Sequence, residues 1–293
     1  GRDITQDPDG TIHIRCNGTL EKIVPVTINR GKRKTTDKAF PNEISQLRSV
    51  VGSLAWVSRQ CRADLSYAVS KLQSCSAAAT VGDLMFANKV LTEAIAAGDR
   101  GIDYIAGAVD WYSMVMVTVT DASWGNEKVM IGNELEPHRR QRGRVIALAN
   151  PDIVEGDVAN VYIIDYSSTM IDRVCRATMQ AETYALTGGV EEAIRIRAAL
   201  ADAHGKLNIT RLQQSGAEFM QNVWLVDANS LAEHLQNDTF KRCSDKRLSV
   251  EIAALRQMLW LAPDGSLRER LSAQDQDVVR WIDTSAMIAD FLT

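Results

Sequence analysis

The sequence predicts an α/β chain, with an N-terminal strand-and-loop stretch (1–41), a small all-helical unit (42–108) and a mixed sheet with flanking helices (109–293). Three observations predict it. Apolar residues recur at spacings of three and four between Asn42 and Gly98, one face of a 3.6-residue period. At Met114 the texture changes to a β-branched apolar run, the mark of a strand buried on both faces. From there strand-like and helix-like patterns alternate, which belongs to a mixed α/β domain. Hydrophobic residues make up 45% and charged residues 24%, so disorder throughout and a disulfide scaffold are excluded. No run approaches the ~20 apolar residues that cross a bilayer.

In chain order, Asp9-Gly10 sits between Ile4 and the alternating Ile12 and Ile14, a hairpin signal. The start has neither Met nor a charged-then-apolar leader, so the chain reads as a piece of a longer one. The basic stretch 29–38 reads as a solvated linker ending at Pro41, with nucleic-acid contact as the competing reading. A helix capped by Asn42 carries Ile44, Leu47, Val51, Leu54 and Val57 on one face; a second carries Leu65, Ala68, Val69 and Leu72. A third runs through Leu84, Val90 and Leu91 and ends at Gly98. Strands are expected at 114–120, 144–149, 161–165, 223–226 and 278–282, and long helices at 179–204 and 246–261. Thr284 and Ser285 cap a short terminal helix, in which Ile288, Phe291 and Leu292 should face the core. The five cysteines form no Cys-x-x-Cys pair and the four histidines are scattered, which favours buried free thiols in a reducing compartment over zinc. A net charge of -4 leaves any nucleic-acid contact to local patches.

Two apolar strands each end in an aspartate, Asp121 and Asp227, each followed by small residues that leave room for a ligand. Glu182 lies in the first turns of the long helix, and Asp290 sits among apolar residues near the C-terminus. Acids are almost never buried unless paired or bound to a cation. Four gathered together stay ionised only with cations present, and oxygen-only ligands suit Mg²⁺ or Mn²⁺. Asp283 competes with Asp290 for the fourth place, but as the residue before Thr284 it has a sufficient capping role. Arg139, Arg140, Arg142 and Arg144 cluster in what reads as a hairpin beside the active edge, where their forks would grip a phosphate backbone; a solvated turn competes. Gly188-Gly189 reads as close packing of the long helix on the sheet, and Trp124 and Trp224 as core filling beside the aspartates.

An ordered set of motifs resembles the end of a copia-type retrotransposon polyprotein, the tail of its reverse transcriptase and its ribonuclease H domain. LRSVVGSLAWV (47–57) is similar to the family's YRSLVGSLLYL, and RADLSYAV (62–69) to RPDIAYAV. TDASW (120–124) resembles SDADW, RRQRG (139–143) resembles RRSTSG, and ATMQAETYAL (177–186) resembles SSTEAEYIAL. VDANSL (226–231) resembles CDNQSAI, and WIDTSAMIADFLT (281–293) is similar to YVPTxxQLADxLTK. The resemblance covers nearly the whole chain in the right order.

It implies a ribonuclease H-like mixed sheet preceded by a thumb or connection segment, with 1–41 a remnant of the reverse transcriptase. It implies hydrolysis of RNA in an RNA–DNA hybrid, with Asp121, Glu182, Asp227 and Asp290 holding two Mg²⁺ or Mn²⁺ ions. The implied partners are the hybrid and an upstream reverse transcriptase domain, in an intracellular setting (cytoplasm, virus-like particle or nucleus) and without a membrane. Two departures stand out. The family's KHID is Lys246-Arg247-Leu248-Ser249 here, without the histidine, and the chain between Asp121 and Glu182 is enlarged around 125–137 and 150–160. Both would suit a non-catalytic binding module or a structural support for an upstream polymerase. No Tyr-x-Asp-Asp occurs, so no polymerase site is expected in this stretch.

Overall fold

The computed structural model describes residues 1–123, 127–131, 134–237, 243, 245–260 and 277–293. Strands β1 (Asp3–Gln6) and β2 (Ile12–Arg15) pair antiparallel with Ile4 opposite Ile14. The expected turn joins them: Gly10 adopts φ 97°, a left-handed value open to glycine, and Asp9 accepts the Thr11 N–H at 2.8 Å. A one-turn helix, α1 (Asn17–Leu20), precedes the helical unit of α2 (Pro41–Gln60), α3 (Ser66–Cys75) and α4 (Val81–Ala96). Strand β3 (Ile102–Tyr104), which no apolar periodicity announces, returns to pair with β2. Cys16, Leu20, Val26 and Ala39 share one core with Leu47, Leu54, Leu72 and Leu84, so residues 1–41 are packed into the helical unit rather than strung before it.

Two local expectations fail. The α2 cap is Phe40, not Asn42: Pro41 takes the first helical position, where a missing N–H costs nothing, and Glu43 accepts the Phe40 N–H at 2.8 Å. The third helix ends as expected, with Ala96 its last residue, Ala97 its cap and Gly98 just past the cap. The basic stretch is not wholly solvated. Arg33 forks onto fully buried Glu43 through two bonds of 2.9 and 3.0 Å, and the Asn29 N–H adds a third to that carboxylate. Together they pull the Glu43 pKa down to about 2, the Arg33 bond most strongly.

The second unit is a five-stranded sheet. Its centre is β4 (Val115–Ala122), buried along its whole length and antiparallel to β7 (Gln141–Ala149). On its other side β4 runs parallel to β9 (Asn222–Val226), which pairs in parallel with edge strand β10 (Val278–Trp281). The opposite edge is β8 (Val161–Met170), antiparallel to β7 and extending five residues past the expected end at Asp165. A separate hairpin of β5 (Glu127–Ile131) and β6 (Glu134–Arg139) occupies the first enlarged stretch, and the short α5 (Asp152–Glu155) the second. This is the α/β fold with a mixed sheet and flanking helices that the sequence predicts.

One face of the sheet carries α6 (Thr178–Ala203), with α7 (Leu212–Phe219) packed on it. Gly189 allows the approach, since a Cβ there would stand 2.5 Å from the Thr120 methyl. Beside them, α8 (Asn229–Gln236) and α9 (Lys246–Trp260) close a core around Leu186 and fully buried Trp224. The opposite face is covered by the C-terminal segment, where one more expectation fails. Instead of a terminal helix, Thr284–Ala286 and Asp290–Leu292 form two separate 3₁₀ turns. Met287, Ala289 and Leu292 are buried, while Ile288 and Phe291 are exposed. The physical reason is local: Asp283 caps the first turn through the Ser285 N–H, and Met287 then leaves helical geometry at ψ 96°. Among the described residues no helix is long and apolar enough to cross a membrane.

Candidate metal centre

Each carboxylate arrives on a different element. Asp121 is the penultimate residue of β4, set opposite Gly143 of β7. Asp227 immediately follows β9, which lies parallel to β4, so both chains deliver an acid to the same sheet end. Asp290 opens the last 3₁₀ turn, seated on the sheet through buried Ala289 and Leu292. One oxygen from each of these three acids lies within 4.8 Å of the others. Glu182 stands close by on the second turn of α6, only 4% exposed.

The electrostatics are those of buried acids that also repel one another. Burial raises the Asp121 pKa, and Asp227 and Asp290 push the same way against a lowering bond from the Thr293 hydroxyl. Burial, then Asp121 and Asp227, drive Glu182 up to about 9. Asp290 is raised by burial and by Asp227. The Glu182 Oε2 atom is buried without a hydrogen-bond partner, the kind of atom that a cation or a proton must satisfy. All donors are carboxylate oxygens, the set preferred by hard divalent ions. The residues present therefore fit a Mg²⁺ or Mn²⁺ site.

Two hydroxyls orient the acids. Thr293 donates to Asp121 Oδ2, and Thr284 donates to Asp227 Oδ2 at 3.0 Å. The Trp281 indole N–H holds the Asp227 carbonyl at 2.8 Å. The sequence offers Thr284 only as a cap and Trp281 and Thr293 only as parts of the terminal motif, because nothing in a strand-end Trp or a Thr signals a contact with a distant acid. Asp283 lies outside the cluster, accepting from the Ser285 N–H and hydroxyl at 2.9 and 2.6 Å, which lowers its pKa.

The arginine cluster, for which a phosphate grip and a solvated turn compete in the sequence, is engaged by the fold itself at Arg140, Arg142 and Arg144. Arg140 is buried and donates to the Ala177 carbonyl at the start of α6 at 2.7 Å. Arg142 and Arg144 belong to β7 itself: Arg142 donates to Thr169 Oγ1 at 3.0 Å, and Arg144 pairs with Asp165 at 2.9 Å. Alternation along the strand sends all three toward α6. The Arg139 side chain and Trp124 lie outside the described residues. At the place of the missing histidine stands exposed Arg247, the second residue of α9, its N–H bound by Asp245 at 2.8 Å.

No protein-family model and no curated protein matches the chain. Among solved structures, it is similar to the N-terminal RNase H domain of Rv2228c from Mycobacterium tuberculosis, fused to maltose binding protein. That alignment has 16% identity, covers 62% of this chain and 91% of that one, and has a TM-score of 0.35. RNase H1 from the halophilic archaeon Halobacterium salinarum NRC-1 is similar at 14% identity over 60% and 92% of the two chains, TM-score 0.33. The foamy viral protease-reverse transcriptase, in complex with RNA/DNA hybrid, aligns with 96% of this chain over 29% of its own, at 8% identity and TM-score 0.41.

Proposed function

We propose that the protein is a ribonuclease H-type endonuclease that hydrolyses the RNA strand of RNA–DNA hybrids within the reverse transcriptase of a copia-like retroelement. The observation that carries this reading is the convergence of Asp121, Asp227 and Asp290 beside buried Glu182, at the four positions the motif resemblance singles out. Two divalent ions, when bound, would supply an activated water and neutralise charge on the leaving 3′ oxygen. The chain's own part is to hold them and to fix the acids. Asp121, Asp227 and Asp290 would offer ligand oxygens, with the orphaned Glu182 Oε2 a fourth. The Thr293 and Thr284 hydroxyls keep the Asp121 and Asp227 carboxylates turned into the site. The products would carry 5′-phosphate and 3′-hydroxyl ends.

The test is cleavage of a labelled hybrid in Mg²⁺ or Mn²⁺ by the wild type and by Asp121→Asn. Hybrid-specific cutting that chelator and the substitution both abolish is expected. Equal cutting of duplex DNA, or activity undiminished in chelator, refutes it. Arg247 in place of the family's histidine favours one rival, a non-catalytic hybrid-binding module, which would bind hybrid and metal without cutting.

A further inference from the structure

The chain has five cysteines, and the metal centre uses none of them. Two of them meet. Cys16 immediately precedes α1 and Cys61 immediately follows α2, and the Cys61 thiol donates to Cys16 Sγ at 3.3 Å across 45 residues of sequence. Cys75 and Cys175 donate instead to the carbonyls of Leu72 and Arg173. We propose that Cys16 and Cys61 are a latent disulfide, a modification site at which a small-molecule disulfide oxidant such as oxidised glutathione cross-links the N-terminal segment to the helical unit.

The geometry is close to that of the bond. A disulfide holds its sulfurs about 2.05 Å apart, so the pair must approach by roughly 1.2 Å. Each cysteine is a cap residue, with φ −136° at Cys16 and −163° at Cys61, so the adjustment falls on helix ends rather than on a helical turn. The cross-link would fasten α1 to the end of α2, where the next residue, buried Arg62, already holds the Ala94 carbonyl of α4 at 3.0 Å.

At rest the pair is protected. Cys16 is fully buried and Cys61 nearly so, and burial, then the Cys16 sulfur, pushes the Cys61 thiol up to about 12, so thiolate is scarce. The segment that carries Cys16 is lightly held. Residues 1–9 are exposed throughout, α1 is a single turn with no side-chain cap, and 21–37 form neither helix nor strand. Such a segment opens locally at low cost. In the open form a Cys16 thiolate attacks one sulfur of the oxidant, whose S–S bond breaks and releases one thiol. As the segment returns, the Cys61 thiolate attacks the Cys16 sulfur of the mixed disulfide and releases the second thiol. The two cysteines are oxidised, the oxidant is reduced to two thiols, and the two cysteine protons end on those thiols. A reducing compartment keeps the pair as thiols, so the latch closes only when the surroundings turn oxidising.

The test incubates the full chain in glutathione buffers from fully reduced to fully oxidised, blocks free thiols with iodoacetamide in denaturant, and maps the cysteines by mass spectrometry. A peptide pair joined through Cys16 and Cys61 should accumulate toward the oxidised end, while Cys75, Cys175 and Cys243 give no cross-link. The oxidised chain should melt several degrees above the reduced one, as expected for closing a loop of 45 residues, and dithiothreitol should reverse the shift. Cys61→Ala should show neither cross-link nor shift; if that variant fails to fold, the two redox states of the wild type carry the comparison. Cys16 and Cys61 both alkylated at the oxidised end, or found only as mixed disulfides with glutathione, overturn the proposal. A cross-link that leaves the melting temperature unchanged or lower overturns the latch.

Discussion

Replacing Glu182 with glutamine tests whether the acidic cluster is built for cations. The side chain is 4% exposed, one oxygen has no hydrogen-bond partner, and its pKa stands at about 9 against an ordinary 4.5. Because the folded value is the higher, the folded chain holds a proton that the unfolded chain releases throughout the window between the two. Stability without metal is therefore greatest at the acid end and falls as pH rises. One proton's difference gives a slope of about 1.4 kcal/mol per pH unit, so roughly 2.7 kcal/mol is lost between pH ~6 and ~8. That slope is insensitive to the folded pKa as long as it stays above the window. Glutamine keeps the shape, carries no charge and removes this proton from the balance.

The assay is urea unfolding in chelator at the two pH values, for wild type and Glu182→Gln, repeated with saturating Mn²⁺. The wild type should lose about 2.7 kcal/mol more than the variant across the window in chelator. Mn²⁺ should then stabilise the wild type more at the higher pH, where the proton it displaces is released at lower proton activity. Equal slopes for the two proteins in chelator would refute the raised Glu182 pKa that burial and the neighbouring acids produce, and with it the case that the cluster needs a cation.

The other predictions concern separate parts of the fold. Asp290→Asn should lower hybrid cleavage by orders of magnitude with binding largely intact, since binding draws on phosphate contacts, whereas Asp283→Asn keeps a capping oxygen, loses only its charge and should cost about 1 kcal/mol or less; the reverse pattern in folded variants would overturn the assignment. Glu43→Gln should destabilise by about 3 kcal/mol by stranding Arg33, measured by thermal unfolding near neutral pH. In the wild type the Glu43 contribution is present above its unfolded pKa of 4.5 and is lost as pH falls toward about 2, so the gap between the two proteins should narrow with acid. Gly189→Ala should cost about 1–3 kcal/mol, read as a lowered melting temperature, because its Cβ would meet the Thr120 methyl.

The sequence was most legible where one periodicity ran unopposed. The β-branched run at 114–120 became a strand buried throughout, and the spacing-three-and-four leucines became the faces of α2, α3 and α4. Strand ends were legible as sites because a strand that is apolar to its last residues and then acidic must place that acid at a sheet end. Legibility failed where long-range pairing decided the outcome. β3 is three residues long and exists because β2 offers it a partner; β8 continues past Asp165 because β7 runs opposite it to Gln141. The four arginines read as one cluster, gripping phosphate or solvated in a turn, because sequence adjacency hides that a strand, unlike a turn, commits alternate residues to one face, here Arg140, Arg142 and Arg144 to Ala177, Thr169 and Asp165.

The last carboxylate shows how far the site depends on the assembled fold. Asp290 does not project from a helix facing the core; it opens a single 3₁₀ turn whose flanking Ala289 and Leu292 lie directly over β7. What lets the turn come so close is Gly143, where a Cβ would stand 2.7 Å from Leu292 Cβ and 2.9 Å from the Ala289 carbonyl oxygen. Gly143 is also the residue opposite Asp121, so the same gap that admits the turn sets Asp290 against its metal-side partner. Gly143→Ala should therefore act at a distance from any ligand. Mn²⁺ affinity measured by calorimetry should fall, while Asp227, held by Trp281 and Thr284, keeps its place. Unchanged Mn²⁺ affinity in a folded Gly143→Ala chain would show that the turn can rise off the sheet without moving Asp290, and would break the link between close packing and the placement of the Asp290 carboxylate.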